Sequence, residues 1–203
     1  MLSLKQQPHN SVWIKADSQE ELGLSFMRFQ EHYESLNPDF RHKVFTVGQL
    51  RAWYSSKYGA DTYHKDWVGF NFPSKVLIPF KQGLFDPLTP EEQNLLEFFK
   101  YRHDNFYIIG AQDQATLRHE LAHALYSTNS KYAQAVNKLC DSNKSKMKKV
   151  RQFILNKGYH LEHLNDELQA YITDKEDPFI MNNTPIDIVN KLVSLYERYK
   201  ENE

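Results

Sequence analysis

Apolar positions along the 203-residue chain fall into two regimes. Up to about residue 112, short β-branched and aromatic runs alternate with helical stripes. Ser11–Lys15 (SVWIK) predicts a short strand. Ser18 then opens a helix as its N-cap, with Glu21 three residues on in capping-box position, and Leu22, Phe26, Phe29 and Tyr33 form one stripe. Asn37-Pro38 closes that helix. Thr46 with Gln49 and Thr89 with Glu92 predict two more capped helices, carrying Leu50, Trp53 and Tyr54, then Leu95, Phe98 and Phe99. Pro90 stands at the first helical position, where its missing N–H costs nothing. Residues 67–80 (WVGFNFPSKVLIPF) read as two short strands joined by a turn, with Pro79 making the second an edge or irregular strand. Residues 106–110 (FYIIG) are the strongest strand pattern.

Beyond that strand the 3.6-residue period is almost continuous. Asp113 caps a helix running to about Ser127, and Tyr132, Val136, Leu139 and Cys140 mark the next. Met147, Val150 and Ile154 mark a third, stopped by Gly158. Leu161, Leu164, Leu168 and Ile172 continue the pattern, and Thr184-Pro185 starts a last helix through Val189, Leu192, Leu195 and Tyr199. The segment from Asp174 to Pro178 reads as a turn, without the spacing or the Gly of a calcium loop. The expected fold is therefore α+β and mostly helical: one domain over residues 1–203. An α/β lobe (1–112) with a short mixed sheet precedes a helical lobe (113–203), with room for a cleft at their junction.

Composition narrows the function. A net charge of -1, from 25 basic and 26 acidic residues, removes the main argument for nucleic acid or an anionic membrane. The basic run Lys144, Lys146, Lys148, Lys149 and Arg151 surrounds Met147, Val150 and Ile154 as a solvated helix face and interleaves no aromatic platform. Mean hydropathy of -0.69 argues against a membrane span. The single Cys140 excludes an internal disulfide and lies on an apolar stripe, as a core residue does. Residues 1–10 are polar and lack the apolar run of a signal peptide, so a cytoplasmic location is expected.

Residues 118–127, RHELAHALYS, carry the chemistry. His119, Glu120 and His123 form an H-E-x-x-H pattern, expected by chance roughly 0.03 times in a chain of this composition. On a helix, i and i+4 side chains lie one turn apart on one face, from which two imidazoles converge on one Zn²⁺. Glu120, displaced by about 100° around the helix, is placed for general-base work on water rather than as an equivalent ligand. A catalytic zinc needs a third protein ligand. Glu167, beside the stripe Leu161, Leu164 and Leu168, is the acidic candidate, with Asp166 turned about 100° away toward solvent. His160 and His163 are alternatives for the third ligand. They, Tyr171, Tyr126 and Tyr132 are alternatives for stabilising an oxyanion, Tyr171 standing one turn beyond Glu167.

His119-Glu120-Leu121-Ala122-His123-Ala124 with a downstream Glu on a separate helix resembles the gluzincins, the thermolysin-like zinc metallopeptidases. The resemblance covers about a tenth of the chain. It implies one Zn²⁺ per chain, held by His119, His123 and Glu167, with Glu120 as general base. It also implies that the strand before the helix is a sheet edge that pairs with an extended peptide substrate. Two departures stand out. Tyr171 occupies the position, four after the Glu ligand, where thermolysin-type enzymes often carry an acid that orients a zinc-binding His, so the second sphere must differ. The 43 residues between His123 and Glu167 also exceed the thermolysin-like spacing. The first expectation is thus a zinc peptidase. The alternatives are a non-catalytic or latent interaction protein on the same scaffold, and a zinc hydrolase of non-peptide bonds.

Overall fold

The computed structural model describes residues 1–175 and 177–200. It is an α+β fold, mostly helical, with a small mixed sheet in its N-terminal part. Two compact units are present, Met1–Leu117 and Arg118–Glu203.

The first unit contains β1 (Ser3–Gln7), β2 (Ser11–Lys15), α1 (Gln19–Glu34), α2 (Val47–Tyr58), α3 (Tyr63–Asp66) and β3 (Gly69–Pro73). A 3₁₀ turn at Ser74–Val76 leads to α4 (Leu77–Lys81), then α5 (Pro90–Glu97) and β4 (Tyr107–Ala111). The strands order as β1-β2-β4-β3. β2 runs antiparallel to β1 and parallel to β4, and β3 returns antiparallel to β4. Phe26 and Phe29 of α1 pack on Phe70 and Phe72 of β3, with ring centroids 5.3–5.6 Å apart. Gly110 of β4 makes room for this: a Cβ there would lie 2.8 Å from the Phe26 ring.

The capping boxes at Thr46/Gln49 and Thr89/Glu92 form completely. At Ser18 only half forms. Its hydroxyl accepts from Glu21 N–H, while the Glu21 carboxylate turns to the amide of Asp17 and the Met1 ammonium. Glu92 has a second task. Its carboxylate takes the Arg28 guanidinium, with Nε–Oε1 at 2.6 Å, and the pair is sealed in the core beside the stacked rings of Phe80 and Phe85.

Two expectations are corrected here. Residues 67–80 hold one strand, not two, because Pro79 lies in α4. In a helix that short its missing N–H falls in the first turn, where amides have no helical acceptor, and Leu77 and Phe80 bury the same side. Nor is β4 a sheet edge. It is interior, with β2 on one side and β3 on the other, so it has no free ladder for an extended peptide. The edges are β1 and β3.

α6 (Gln114–Thr128) crosses from the first unit into the second. Asp113 caps it by accepting from the amides of Ala115 and Thr116 at 2.8 and 2.9 Å. There follow α7 (Ser130–Ser142), α8 (Lys148–Asn156), a 3₁₀ turn at Leu161–His163, α9 (Leu164–Asp174), α10 (Pro178–Asn183) and α11 (Ile186–Lys200). α9 is the hub of this unit and packs against α7, α8, α10 and α11. Leu164, Leu168 and Ile172 join Tyr132, Val136, Cys140, Val150 and Ile154 in its core, and burial pushes the Cys140 thiol up to about 12. The sequence pattern did not predict α10. Asp177, read there as part of a turn, caps it through the amides of Phe179 and Ile180, with Pro178 at the first position. Glu176 of that turn lies outside the described residues. Among those residues no helix is long and apolar enough to cross a membrane.

Candidate metal centre

α6 and α9 build the site, through residues that all belong to the second unit. One turn apart on α6, the His119 and His123 rings stand 4.9 Å apart and their Nε2 atoms approach to 3.2 Å. α9 offers three carboxylates to them. Asp166, in its first turn, takes His123 Nδ1 at 2.9 Å, and Asp174, at its last residue, takes His119 Nδ1. Glu167 sits between the two, with Oε1 3.8 Å from His123 Nε2. The ligand atoms of His119, His123 and Glu167 all lie within 4.8 Å of one another.

The hydrogen bonds decide which ring nitrogen is free. A carboxylate on Nδ1 calls for an N–H there, so each neutral ring presents its Nε2 lone pair inward. Two lone pairs 3.2 Å apart repel unless a cation lies between them. In the unliganded protein a proton can serve. Burial opposes charge on His119, but Asp174, Glu120 and Glu167 outweigh it and raise its pKa; on His123, burial is outweighed in the same way by Asp166, Glu167 and Glu120. Burial pushes the Glu167 carboxyl up to about 7, and its Oε2 is buried with no hydrogen-bond partner.

The same donors are also spaced so that they could hold a metal ion. Tetrahedral Zn²⁺ with bonds of about 2.0–2.1 Å holds two nitrogens roughly 3.4 Å apart, close to the observed approach. Two imidazoles with carboxylates on their distal nitrogens and one unsatisfied carboxylate match a zinc site of the His₂Glu type.

Of the other residues named from sequence, Glu120 is buried at 5% exposure and bears electrostatically on His119, His123 and Glu167. Tyr171 lays its ring edge-to-face on His119 at 4.8 Å, and its hydroxyl meets that of Tyr159 at 3.2 Å. Tyr126 donates to Asn137 at 2.9 Å and Tyr132 to Gln169 at 2.7 Å, so both hydroxyls are engaged elsewhere. His160 and His163 face each other with centroids 6.4 Å apart and do not belong to the ligand group.

Asp166 corrects the sequence reading. It is not solvated but held against His123, and its Oδ1 also accepts from Gln169 Nε2 at 3.0 Å. Asp174 and Tyr159 were not foreseen. Asp174 carried a signal, since it stands seven residues after Glu167 and so two turns along the same face. Tyr159 carried none: it lies in the connection before the 3₁₀ turn, where no period applies.

No family model matches the chain, and neither a curated protein nor a solved structure matches it. The functional reading rests on the geometry of the site itself.

Proposed function

We propose that this chain is a zinc-dependent peptidase of gluzincin type, holding one Zn²⁺ through His119, His123 and Glu167. The observation that carries the reading is the paired imidazoles, each oriented by its own carboxylate so that both Nε2 atoms face Glu167. When bound, Zn²⁺ supplies Lewis acidity, bringing the pKa of a water to about 7 and polarising a carbonyl. Glu120 would act as general base and acid, taking a proton from an attacking water and giving it to the leaving amine as the peptide C–N bond breaks. In support of this role, Glu120 is shielded from bulk water, at 5% exposure. Peptides or proteins are the substrates, and the reading needs no nucleic acid and no membrane span.

The test joins metal content with proteolysis. Mass spectrometry of the purified protein is expected to find about one zinc per chain, lost when His119 and His123 are both replaced by Ala. Glu120→Gln is expected to keep the zinc and lose cleavage of a peptide library. Full cleavage by that variant refutes the mechanism, and no uptake after zinc reconstitution refutes the enzyme. Burial favours a second reading, a latent or non-catalytic interaction protein, because Glu120, His123 and Glu167 are each at most 6% exposed. Zinc uptake without cleavage of any library member would select it.

A further inference from the structure

Gln169 is a carboxamide sealed from water, 0% exposed on α9, three residues after Asp166 and on the same face. A buried amide is tolerated only where partners replace the lost water. Gln169 has one at each end. Its Nε2 donates to Asp166 Oδ1 at 3.0 Å, and its Oε1 accepts from the Tyr132 hydroxyl at 2.7 Å. The directions are forced. A carboxylate only accepts, so the NH₂ group must face Asp166 and the carbonyl must face Tyr132, which then has to donate. Asp166 Oδ1 in turn lies 2.9 Å from His123 Nδ1.

Tyr132 owes its own place to the chain that leaves α6. Asn129 ends α6, its amide donating to Leu125 O at 2.9 Å, and caps α7 by accepting from the Tyr132 amide at 3.0 Å. The path from His123 along α6, through Asn129 to Tyr132, is closed by hydrogen bonds that run through Gln169 and Asp166 back to His123. Such a ring holds the Asp166 carboxylate from two directions, and its Tyr132 and Gln169 members are both at 0% exposure, where water offers no substitute partner. Resting on the metal-site reading above, we infer that Gln169 is a positioning residue of that site: its carboxamide, aimed by Tyr132, holds Asp166 on His123 Nδ1 and so keeps His123 Nε2 directed at the metal position. Packing alone would ask only for a side chain of this length, and Met would then serve as well as Gln.

Zinc affinity, read by competition with a chelator on the full chain, tests the inference without needing a substrate. Gln169→Met keeps the length of the side chain and removes both polar ends. It is expected to weaken Zn²⁺ binding about tenfold, the lower end of what loss of an outer partner produces. The same change added to Asp166→Ala is expected to weaken binding less than about twofold further, because Gln169 acts through Asp166. Nitrogen-15 spectra of the zinc-loaded chain supply a second readout. The His123 Nδ1–H resonance is expected to shift in Gln169→Met while that of His119, held by Asp174, stays in place. Wild-type affinity in Gln169→Met, an equal tenfold loss in the Asp166→Ala background, or equal shifts of both imidazoles overturns the inference while leaving the zinc site standing. A wild-type chain that binds no zinc overturns both. If Gln169→Met loses its cooperative unfolding, Tyr132→Phe replaces it. That variant removes the group that aims the carboxamide and is expected to give about a threefold loss, near the lower end of coupling within one hydrogen-bond network, that vanishes with Asp166→Ala; unchanged affinity overturns the inference.

Discussion

Asp166 offers the sharpest test of the site, because the sequence pattern and the structure assign it opposite surroundings. A solvated carboxylate on the far side of α9 would leave metal affinity unchanged when altered. The structure instead gives Asp166 Oδ1 two donors, His123 Nδ1 at 2.9 Å and Gln169 Nε2 at 3.0 Å. Gln169 is fixed in turn by the Tyr132 hydroxyl, so the carboxylate is held from behind as well as in front. Asp166→Asn keeps an Oδ1 acceptor for both donors and removes only the charge. Hydrogen bonds to charged groups contribute about 1.5–3 kcal/mol against roughly 0.5–1.5 for neutral ones, so the change costs about 1.4 kcal/mol. That corresponds to a tenfold weaker Zn²⁺ affinity. Asp166→Ala removes the acceptor as well, leaving the buried His123 Nδ1–H unpaired and the ring free to choose the other tautomer. Its loss is expected to reach about 100-fold, the upper end for such orienting partners. Chelator competition at fixed pH reads both variants, with circular dichroism confirming that the helices remain. Affinities within about twofold of wild type in both variants would refute the argument, and an Asn variant as weak as the Ala variant would refute its division into charge and acceptor.

The acid–base balance of the site predicts how stability follows pH. Burial raises the folded-state pKa of Glu167 to about 7, and the neighbouring carboxylates raise those of His119 and His123. A raised folded-state pKa stabilises below the unfolded value, and that contribution is lost as pH climbs through the folded one, so all three groups make the metal-free protein less stable at pH 8 than at pH 5.5. Zinc displaces these protons, and thermal unfolding is expected to show a larger zinc-induced rise in Tm at pH 8; an equal or smaller rise would contradict the assignment. In the first unit, Arg28→Met strands Glu92 in the core and is expected to cost about 3–5 kcal/mol in urea unfolding, whereas Arg28→Met with Glu92→Leu recovers most of it. No recovery in the double variant would mean that the capping role of Glu92 outweighs its role as counter-ion.

Much of the fold is legible because local chemistry and tertiary packing agree. The boxes at Thr46 and Thr89, Pro90 at its first helical position and the stripe from Leu22 to Phe29 all form as their spacing dictates. The misreadings arise where one local signal has two physical outlets. Pro79 is incompatible with a ladder position, but the same missing N–H is harmless in the first turn of a helix, and burial of Leu77 and Phe80 selects the helix. The rank of β4 in the sheet was not legible at all. A continuous apolar run announces a strand buried on both faces, yet its neighbours are set by residues 30 to 100 positions away.

The site divides along the same line. His119, Glu120 and His123 are fixed by one helix, so their relation is a matter of spacing and can be read directly. Everything that completes them comes from α9, and two helices can meet at any rotation about their axes. Glu167 borders the apolar stripe, and the structure brings its carboxylate within 4.8 Å of the His119 and His123 rings' ligand atoms. The same logic sends Asp166, one residue earlier, to solvent, but the Nδ1 of His123 draws it inward. Asp174 shows what could have been inferred. A helix that gives a ligand to a metal at one position also presents the residues seven before and seven after it to the same neighbour. Asp174 is the carboxylate among them, lying two turns from Glu167 while its partner His119 lies one turn from His123. In such a centre the search for orienting partners belongs at the helical repeat of the third ligand, and not only at the fourth residue after it.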